Sequence, residues 1–194
     1  MNKIQVRIER FDKNGRLIEV VKKPLNSYVQ NHIDYLRAQW SGTNSGVTNL
    51  SGTSRNVQTS GGGSTGWYTK FVVAAGVADD SYGLVVGTGT NAVAISQTAL
   101  QTKILHGDVS AKLNHGSVSV GNPATVGSTR QFTIARTFTN NSGADITVEE
   151  IGLYAQFYYS SSTMDITMIE RSLLHYVIPN GQSASFTYTI SATV

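Results

Sequence analysis

The sequence contains no cysteine among its 194 residues. The chain therefore cannot be a disulfide scaffold, and a zinc site built on thiolates is excluded. A chain of this length can bury a sizeable core without cross-links. We expect apolar burial and hydrogen-bonded strands to stabilise the fold.

Charged residues are also scarce, at 14% of the chain against roughly 25% in typical soluble domains. Gly, Ser, Thr and Asn are abundant instead, as in many extracellular or particle-surface β proteins. The formal net charge of +3 is small, and Lys22-Lys23 is the only adjacent basic pair. Binding to a phosphate backbone requires a clustered basic stripe, so we expect no nucleic-acid partner.

Long apolar runs are missing as well. No stretch of about 18 apolar residues occurs, which predicts that the chain does not span a membrane. The first nine residues alternate Ile4, Val6 and Ile8 with polar residues and lack the apolar centre of a signal peptide. This start predicts a strand, and we expect no cleaved leader.

Two β-rich runs at the beginning of the chain predict a hairpin. Residues 3–11 and 16–21 flank Asp12-Lys13-Asn14-Gly15, and Asn-Gly tolerates the positive φ values of a tight turn. From Asn26 the apolar spacing changes to three and four residues, which predicts a helix over 26–40 with Asn26 or Ser27 as its N-cap. We interpret residues 1–41 as an anchoring module. The helix face that would anchor it consists of Tyr28, Val29, Ile33, Leu36 and Trp40.

Residues 42–66 are rich in Gly, Ser, Thr and Asn and contain a glycine triplet at 61–63. This composition predicts a flexible linker or loop. Neither Lys-Ser nor Lys-Thr follows the triplet, so we do not expect a phosphate cradle. The linker would separate the anchoring module from a main domain at 67–194.

The main domain consists of short alternating runs divided by turn residues. The alternation from Phe186 to Val194 is unbroken, as in a strand with one wet face. Such runs predict a mainly β fold: an antiparallel β-sandwich or jelly-roll-like domain, preceded by the hairpin and one α-helix. Between Val148 and Ile151 the apolar parity changes, which predicts a β-bulge at Glu149-Glu150.

Candidate catalytic groups are few. Glu149 and Glu150 could form a glycosidase pair beside the bulge. Adjacent strand residues normally point to opposite faces, so the simpler interpretation puts one glutamate in solvent and pairs the other with an arginine. That arginine would be Arg130, Arg136 or Arg171.

Metal and nucleophile motifs are no stronger. His106, Asp108 and His115 match no established spacing of metal ligands, and the chain has no Gly-x-Ser-x-Gly elbow. We therefore expect no enzymatic activity, no metal and no cofactor.

Aromatic residues offer a different kind of site. Three tyrosines lie beside a Ser-rich loop at 160–163, and two more aromatics open the main domain. Amphipathic aromatic side chains serve oligomer interfaces and sugar binding alike, although core positions would explain some of them. The candidate interface or glycan contacts are Trp67, Tyr68, Tyr154, Tyr158 and Tyr159.

The segment Glu150-Ile151-Gly152-Leu153-Tyr154, together with residues 136–143 and 188–194, resembles tail-collar and tail-fibre proteins of tailed bacteriophages. The resemblance covers about the C-terminal half of the chain. It implies a non-enzymatic structural protein of the virion, at the tail, collar or fibre or decorating the capsid. It also implies assembly in the cytoplasm of a host bacterium, other virion proteins as partners, and a homo-oligomer, with a trimer favoured. The alternative is a carbohydrate-binding β-sandwich module that contacts a host surface glycan through Tyr158 and Tyr159.

Overall fold

A computed structural model describes residues 2–25, 28–41, 46–57, 71–160 and 163–193. These residues form antiparallel sheets that pack together, with one helix, so the predicted β-sandwich class is confirmed. In chain order the elements are β1 (Asn2–Phe11), β2 (Leu17–Leu25), α1 (Gln30–Ser41), β3 (Gly46–Thr48), β4 (Ser54–Asn56), β5 (Phe71–Val72), β6 (Gly83–Gly87), β7 (Asn114–Val120), β8 (Ala124–Val126), β9 (Thr129–Thr139), β10 (Ile146–Tyr158), β11 (Met164–Ile178) and β12 (Ser183–Thr193).

Two sheets make the sandwich. The larger has six strands in the order β2-β1-β12-β9-β7, with β8 also paired to β9. In the smaller sheet β10 is central, with β11 on one side and β5 and β6 end to end on the other. A separate hairpin joins β3 to β4.

The N-terminal hairpin forms as predicted. The Asp12 carboxylate accepts hydrogen bonds from the N–H groups of Asn14 and Arg16, and Gly15 has a φ of 77°. The position of the hairpin differs from the prediction, because β1 pairs along its whole length with β12.

The hairpin therefore shares the main core. Ile4, Val6 and Ile8 pack in one cluster with Phe186 and Tyr188 of β12. A linker at 42–66 does not divide this cluster, so the predicted modules at 1–41 and 67–194 do not have separate cores.

Helix α1 begins later than the sequence predicts. The backbone of residues 28–29 first runs along β11, where the N–H of Val29 donates to the carbonyl of Ile169 at 3.1 Å. An extended backbone at these positions moves the helix start to Gln30. The predicted caps, Asn26 and Ser27, lie outside the described residues.

The buried face of α1 also differs from the predicted one. Ile33 is 58% exposed, whereas Asn31 and Tyr35 are buried. Asn31 exchanges two hydrogen bonds with the backbone of Thr48, and the Tyr35 ring stacks on Phe71 with centroids 3.9 Å apart. These contacts rotate Ile33 out of the face that the apolar spacing predicted.

The register between β10 and β11 is irregular at the position where the sequence predicts a bulge, but the extra residue is not in β10. The register shifts between Val148 and Glu150, so that Glu149 lies opposite both Leu174 and His175 of β11. The extra residue thus belongs to β11. Val148 and Ile151 both belong to the main core despite their different parity.

The smaller sheet is covered on both faces. One face packs against the six-stranded sheet in the main core. On its other face, a second cluster includes Tyr154 and Met168 of the sheet, Leu100 of segment 88–102, and Val29 just before α1. Within the described ranges, α1 is neither long nor apolar enough to cross a bilayer.

Candidate functional site

A buried ion pair joins β10 to β11 on the face of the smaller sheet that points away from the main core. Arg171 Nε donates to Glu150 Oε2 at 2.7 Å, and neither side chain has exposed surface. The Glu149 side chain is partly exposed, and its Oε1 lies 2.9 Å from His175 Nδ1. The predicted division, one glutamate paired with an arginine and one near solvent, is confirmed.

The ion pair also holds segment 88–102 onto the sheet. The Glu150 carboxylate accepts hydrogen bonds from the N–H groups of Gly89, Gln101 and Thr102 at 3.1, 3.1 and 2.8 Å. Arg171 Nη1 donates to the carbonyl of Asn91 and to Gln97 Oε1. Both ends and the middle of the segment are therefore fixed, and the acceptor sites of Glu150 are occupied by backbone donors.

The atoms around this ion pair are closely packed. A Cβ on Gly87 would lie 2.5 Å from both Glu150 Oε1 and the carbonyl oxygen of Thr102. Only glycine leaves room for the carboxylate at this distance. A carboxylate so enclosed, and bonded to an arginine, suits a structural role better than acid or base chemistry on a substrate.

Arg136 is a second buried charged group that holds a neighbouring segment in place. Its guanidinium donates only to carbonyl oxygens, and desolvation lowers its pKa even though Asp79 and Asp80 oppose this shift. These bonds fix the segment 76–84 against the edge strand β7. The acceptors are the carbonyls of Gly116, Tyr82, Leu84, Gly76 and Asp79.

A third polar group lies inside the main core. Glu170 accepts hydrogen bonds from Ser172 Oγ at 2.5 Å and from the Tyr188 hydroxyl at 2.6 Å. Burial raises the pKa of Glu170 to about 7, against the opposing effect of these bonds and of Arg171. This carboxyl group therefore changes its charge near neutral pH without contact with solvent.

The histidines considered as metal ligands do not converge on a site. His106 Nδ1 accepts a hydrogen bond from the N–H of His115, while Asp108 is exposed. Both ring nitrogens of His115 are buried without a hydrogen-bond partner, and burial, with Arg136 nearby, lowers its pKa to about 3. Among the described residues, no group of three or more His, Cys, Asp or Glu could hold a metal ion.

The aromatic candidates are also dispersed. Tyr154 is buried, its hydroxyl accepts a hydrogen bond from the N–H of Leu100 at 2.6 Å, and burial raises its pKa to about 12. It cannot contact a glycan or partner, because segment 88–102 covers it. Tyr159 packs beside Phe157 with the Arg55 guanidinium 4.5 Å above its ring, and Tyr158 is half-buried. Trp67 and Tyr68 lie outside the described residues.

The predicted anchoring face is mostly engaged within the chain. Val29 is buried, and Tyr28 stacks on His32 with ring centroids 4.0 Å apart. Leu36 is half-buried, and the side chain of Trp40 lies outside the described part of the chain.

An open groove lies between the edges of the two sheets, at a place that no local sequence pattern indicates. It has a volume of about 380 Å³. On its floor Arg10 Nε contacts Glu19 Oε2 at 3.1 Å, and the Tyr176 hydroxyl donates to the same oxygen. The lining residues are Arg10, Glu19, Val21, His175, Tyr176, Val177 and Pro179.

Comparison of the chain with known protein families, with characterised proteins and with solved structures gives no significant match. A functional proposal therefore depends on the geometry of the described residues. Among them, Glu150 and Tyr154 both bind segment 88–102.

Proposed function

We propose that the chain is a non-enzymatic structural protein of a tailed-phage virion, at the tail, collar or fibre or on the capsid. The observation that carries this proposal is the use of buried charged groups to hold surface segments rigid. Glu150 and Arg171 bind segment 88–102, and Arg136 binds carbonyl oxygens of segment 76–84. A rigid surface suits a protein that must match its neighbours in an assembly, because little conformational freedom is lost on association.

Val77, Ile95 and Val126 are 73%, 68% and 63% exposed. An interface that covered these side chains would remove their apolar surface from water. We propose a homo-oligomer, with a trimer favoured, that contacts other virion proteins.

Light scattering on the purified full-length chain, coupled to size-exclusion chromatography, tests this proposal. We expect the mass of an oligomer, with three chains as the favoured number. Binding of the purified chain to tailed-phage particles, detected by immunogold labelling, is the second expected result. A monomer at every concentration, which also fails to bind particles, would contradict the proposal.

A carbohydrate-binding role is the second proposal and now involves only Tyr158 and Tyr159. Both side chains keep some exposure, and stacking on sugars requires an accessible ring face. The Arg55 guanidinium already occupies one face of Tyr159, which weakens this proposal. Glycan-array binding that disappears in the Tyr158→Ala/Tyr159→Ala variant would support it, and an empty array would remove it.

A further inference from the structure

The two residues just before α1 lie along the edge strand β11. The N–H of Val29 donates to the carbonyl of Ile169 at 3.1 Å, and Tyr28 forms an antiparallel bridge with Glu170. Because β11 is the last strand of the smaller sheet, these residues cover its outer edge at this point. We call Tyr28 and Val29 the strap.

The strap pairs with β11 at the position of a buried carboxyl group. Glu170 has no exposed surface, and its carboxyl oxygens accept hydrogen bonds from the hydroxyls of Ser172 and Tyr188. Within the described ranges, no lysine, arginine or histidine forms an ion pair with it. A charged carboxylate at this position lacks both water and a counter-ion, which favours the neutral form.

The smaller sheet itself offers Glu170 no opposite charge at contact distance. Arg171, the next residue, points to the other face of the sheet, where it binds Glu150. The residue opposite Glu170 on β10 is the apolar Leu153. Burial raises the pKa of Glu170 to about 7, although the hydrogen bonds from Ser172 and Tyr188 and the charge of Arg171 oppose this shift.

Titratable groups on the neighbouring elements are uncharged at pH 7. Burial, with the charge of Glu170, raises the pKa of Tyr188 on β12 and of Tyr28 in the strap. His32 of α1 stacks on Tyr28 with ring centroids 4.0 Å apart, and burial lowers its pKa. An ionised Glu170 therefore gains no positive charge from these groups, and hydration is the remaining way to stabilise it.

Water has a less costly way in past the strap than through the core. Tyr188 is wholly buried in the main cluster, whereas Tyr28 is only partly buried and lies at the edge of the sheet. Opening a short peripheral segment breaks few contacts, while opening the core requires global unfolding.

We propose that the strap is a pH-sensitive latch: ionisation of Glu170 releases Tyr28 and Val29 from β11 and admits water to the carboxylate. In the closed form Val29 packs with Met168 in the second cluster. Release exposes this apolar contact and leaves the carbonyl of Ile169 without its hydrogen bond. This inference does not depend on the proposed role in a virion.

Hydrogen exchange at single amides of the full-length chain, followed by NMR from pH 5 to pH 8, tests the latch. Protection factors remove the intrinsic increase of exchange with pH. The open form restores the ordinary pKa of 4.5 to Glu170, in place of about 7. We therefore expect the protection of Val29 to fall about tenfold per pH unit up to pH 7 and then to level off, on the order of 50-fold in total.

Two internal controls separate local release from other opening. The N–H of Leu50 donates to the carbonyl of Ile166 on the same edge at 3.0 Å, and its protection should stay constant. Amides of the central strand β12 report global unfolding, and at pH 8 Val29 should exchange faster than they do. An equal fall at Leu50, or exchange of Val29 at the rate of the β12 amides, would overturn the latch.

Two variants assign the effect to Glu170. Glu170→Gln keeps the shape of the protonated carboxyl group without its charge, so the protection of Val29 should no longer depend on pH. His32→Phe keeps a ring stacked on Tyr28 but cannot titrate, and it should retain the full response. The proposal is wrong if Glu170→Gln keeps the fall or if His32→Phe loses it.

Tyr188→Phe decides the question if circular dichroism shows that Glu170→Gln is not folded. Loss of the hydroxyl that binds Glu170 disfavours the ionised carboxylate in the closed form. The fall in the protection of Val29 should then continue to a higher pH than in the unmodified chain. A fall that ends at the same pH in both proteins would contradict the latch.

Discussion

Arg171 Nε lies 2.7 Å from Glu150 Oε2, and the two side chains form an ion pair with no exposed surface. Removing both charges from water is unfavourable, and good geometry with further hydrogen bonds must offset that cost. Here the further bonds come from segment 88–102. The pair therefore acts mainly as a clamp that determines where this segment lies.

Breaking the clamp on one side should be more damaging than removing it entirely. Arg171→Met leaves the Glu150 carboxylate buried and unpaired, and we expect it to lower the free energy of unfolding by about 3–5 kcal/mol. The double variant Glu150→Met/Arg171→Met should lose less than the sum of the two single variants. Urea unfolding measures both quantities, and hydrogen exchange at Gln101 and Thr102 should accelerate in Arg171→Met.

Arg7→Met provides the matched control, because Arg7 and Glu9 form an exposed ion pair. Such pairs contribute about 0–1 kcal/mol. If Arg171→Met and Arg7→Met lower the free energy of unfolding equally, the buried pair does not hold segment 88–102 in place.

Packing around the clamp gives a second prediction. Gly87→Ala introduces a Cβ at 2.5 Å from the Glu150 carboxylate and from the backbone of Thr102. We expect a loss of about 1–3 kcal/mol in the free energy of unfolding, typical of overpacking. Gly76→Ala is the control, since nothing lies within 4 Å of its added Cβ. If the two variants unfold at the same urea concentration, the packing around Gly87 accommodates a Cβ without loss of stability.

Glu170 should make stability depend on pH near neutrality. Its pKa in the folded state is about 7, above the usual 4.5. Its contribution to the free energy of unfolding is therefore complete below pH 4.5 and is lost as the pH rises through 7. The loss between pH 5 and pH 8 is on the order of 3 kcal/mol. Urea unfolding should show that Glu170→Gln removes this loss. A variant with the same pH dependence as the unmodified protein would contradict the assignment.

His115 should make stability depend on pH in the opposite direction. Its pKa in the folded state is about 3, below the usual 6.5, so the unfolded chain takes up a proton first. Stability is therefore lost as the pH falls from 6.5 toward 3. The His115→Gln variant should be less sensitive to acid in the same unfolding measurements, and unchanged acid sensitivity would count against a buried neutral His115.

Deletion of residues 1–25 tests the shared core. The truncation removes Val6 and Ile8 from the main cluster and uncovers one edge of β12. We expect the remaining chain to lose its cooperative thermal transition in circular dichroism. A truncated chain that still melts cooperatively would show that the domain boundary predicted at 42–66 is real.

Local patterns predicted the features that depend on neighbouring residues. The alternation of β10 and β12 identifies strands, and the change of parity before Ile151 locates the register shift. Asp12 to Gly15 identifies the hairpin turn. Each of these signals is contained in a few consecutive residues.

Features that depend on distant parts of the chain were not predictable in this way. Alternation in β1 does not say that its partner is β12, almost 180 residues later. Local sequence does not distinguish Tyr154 from an exposed aromatic residue. Only the position of segment 88–102 in the fold buries it. The groove is missed for the same reason, because the half-exposure of Val21 depends on where the opposite sheet ends.

Cryo-electron microscopy of the native particle tests the proposed virion role most directly. If the proposal holds, a phage encodes this chain, and its particles would be purified and imaged, with mass spectrometry to confirm that the chain is present. We predict density for the β-sandwich repeated around a symmetry axis at the tail, collar, fibre or capsid surface. Purified particles that lack the chain altogether would contradict the proposal.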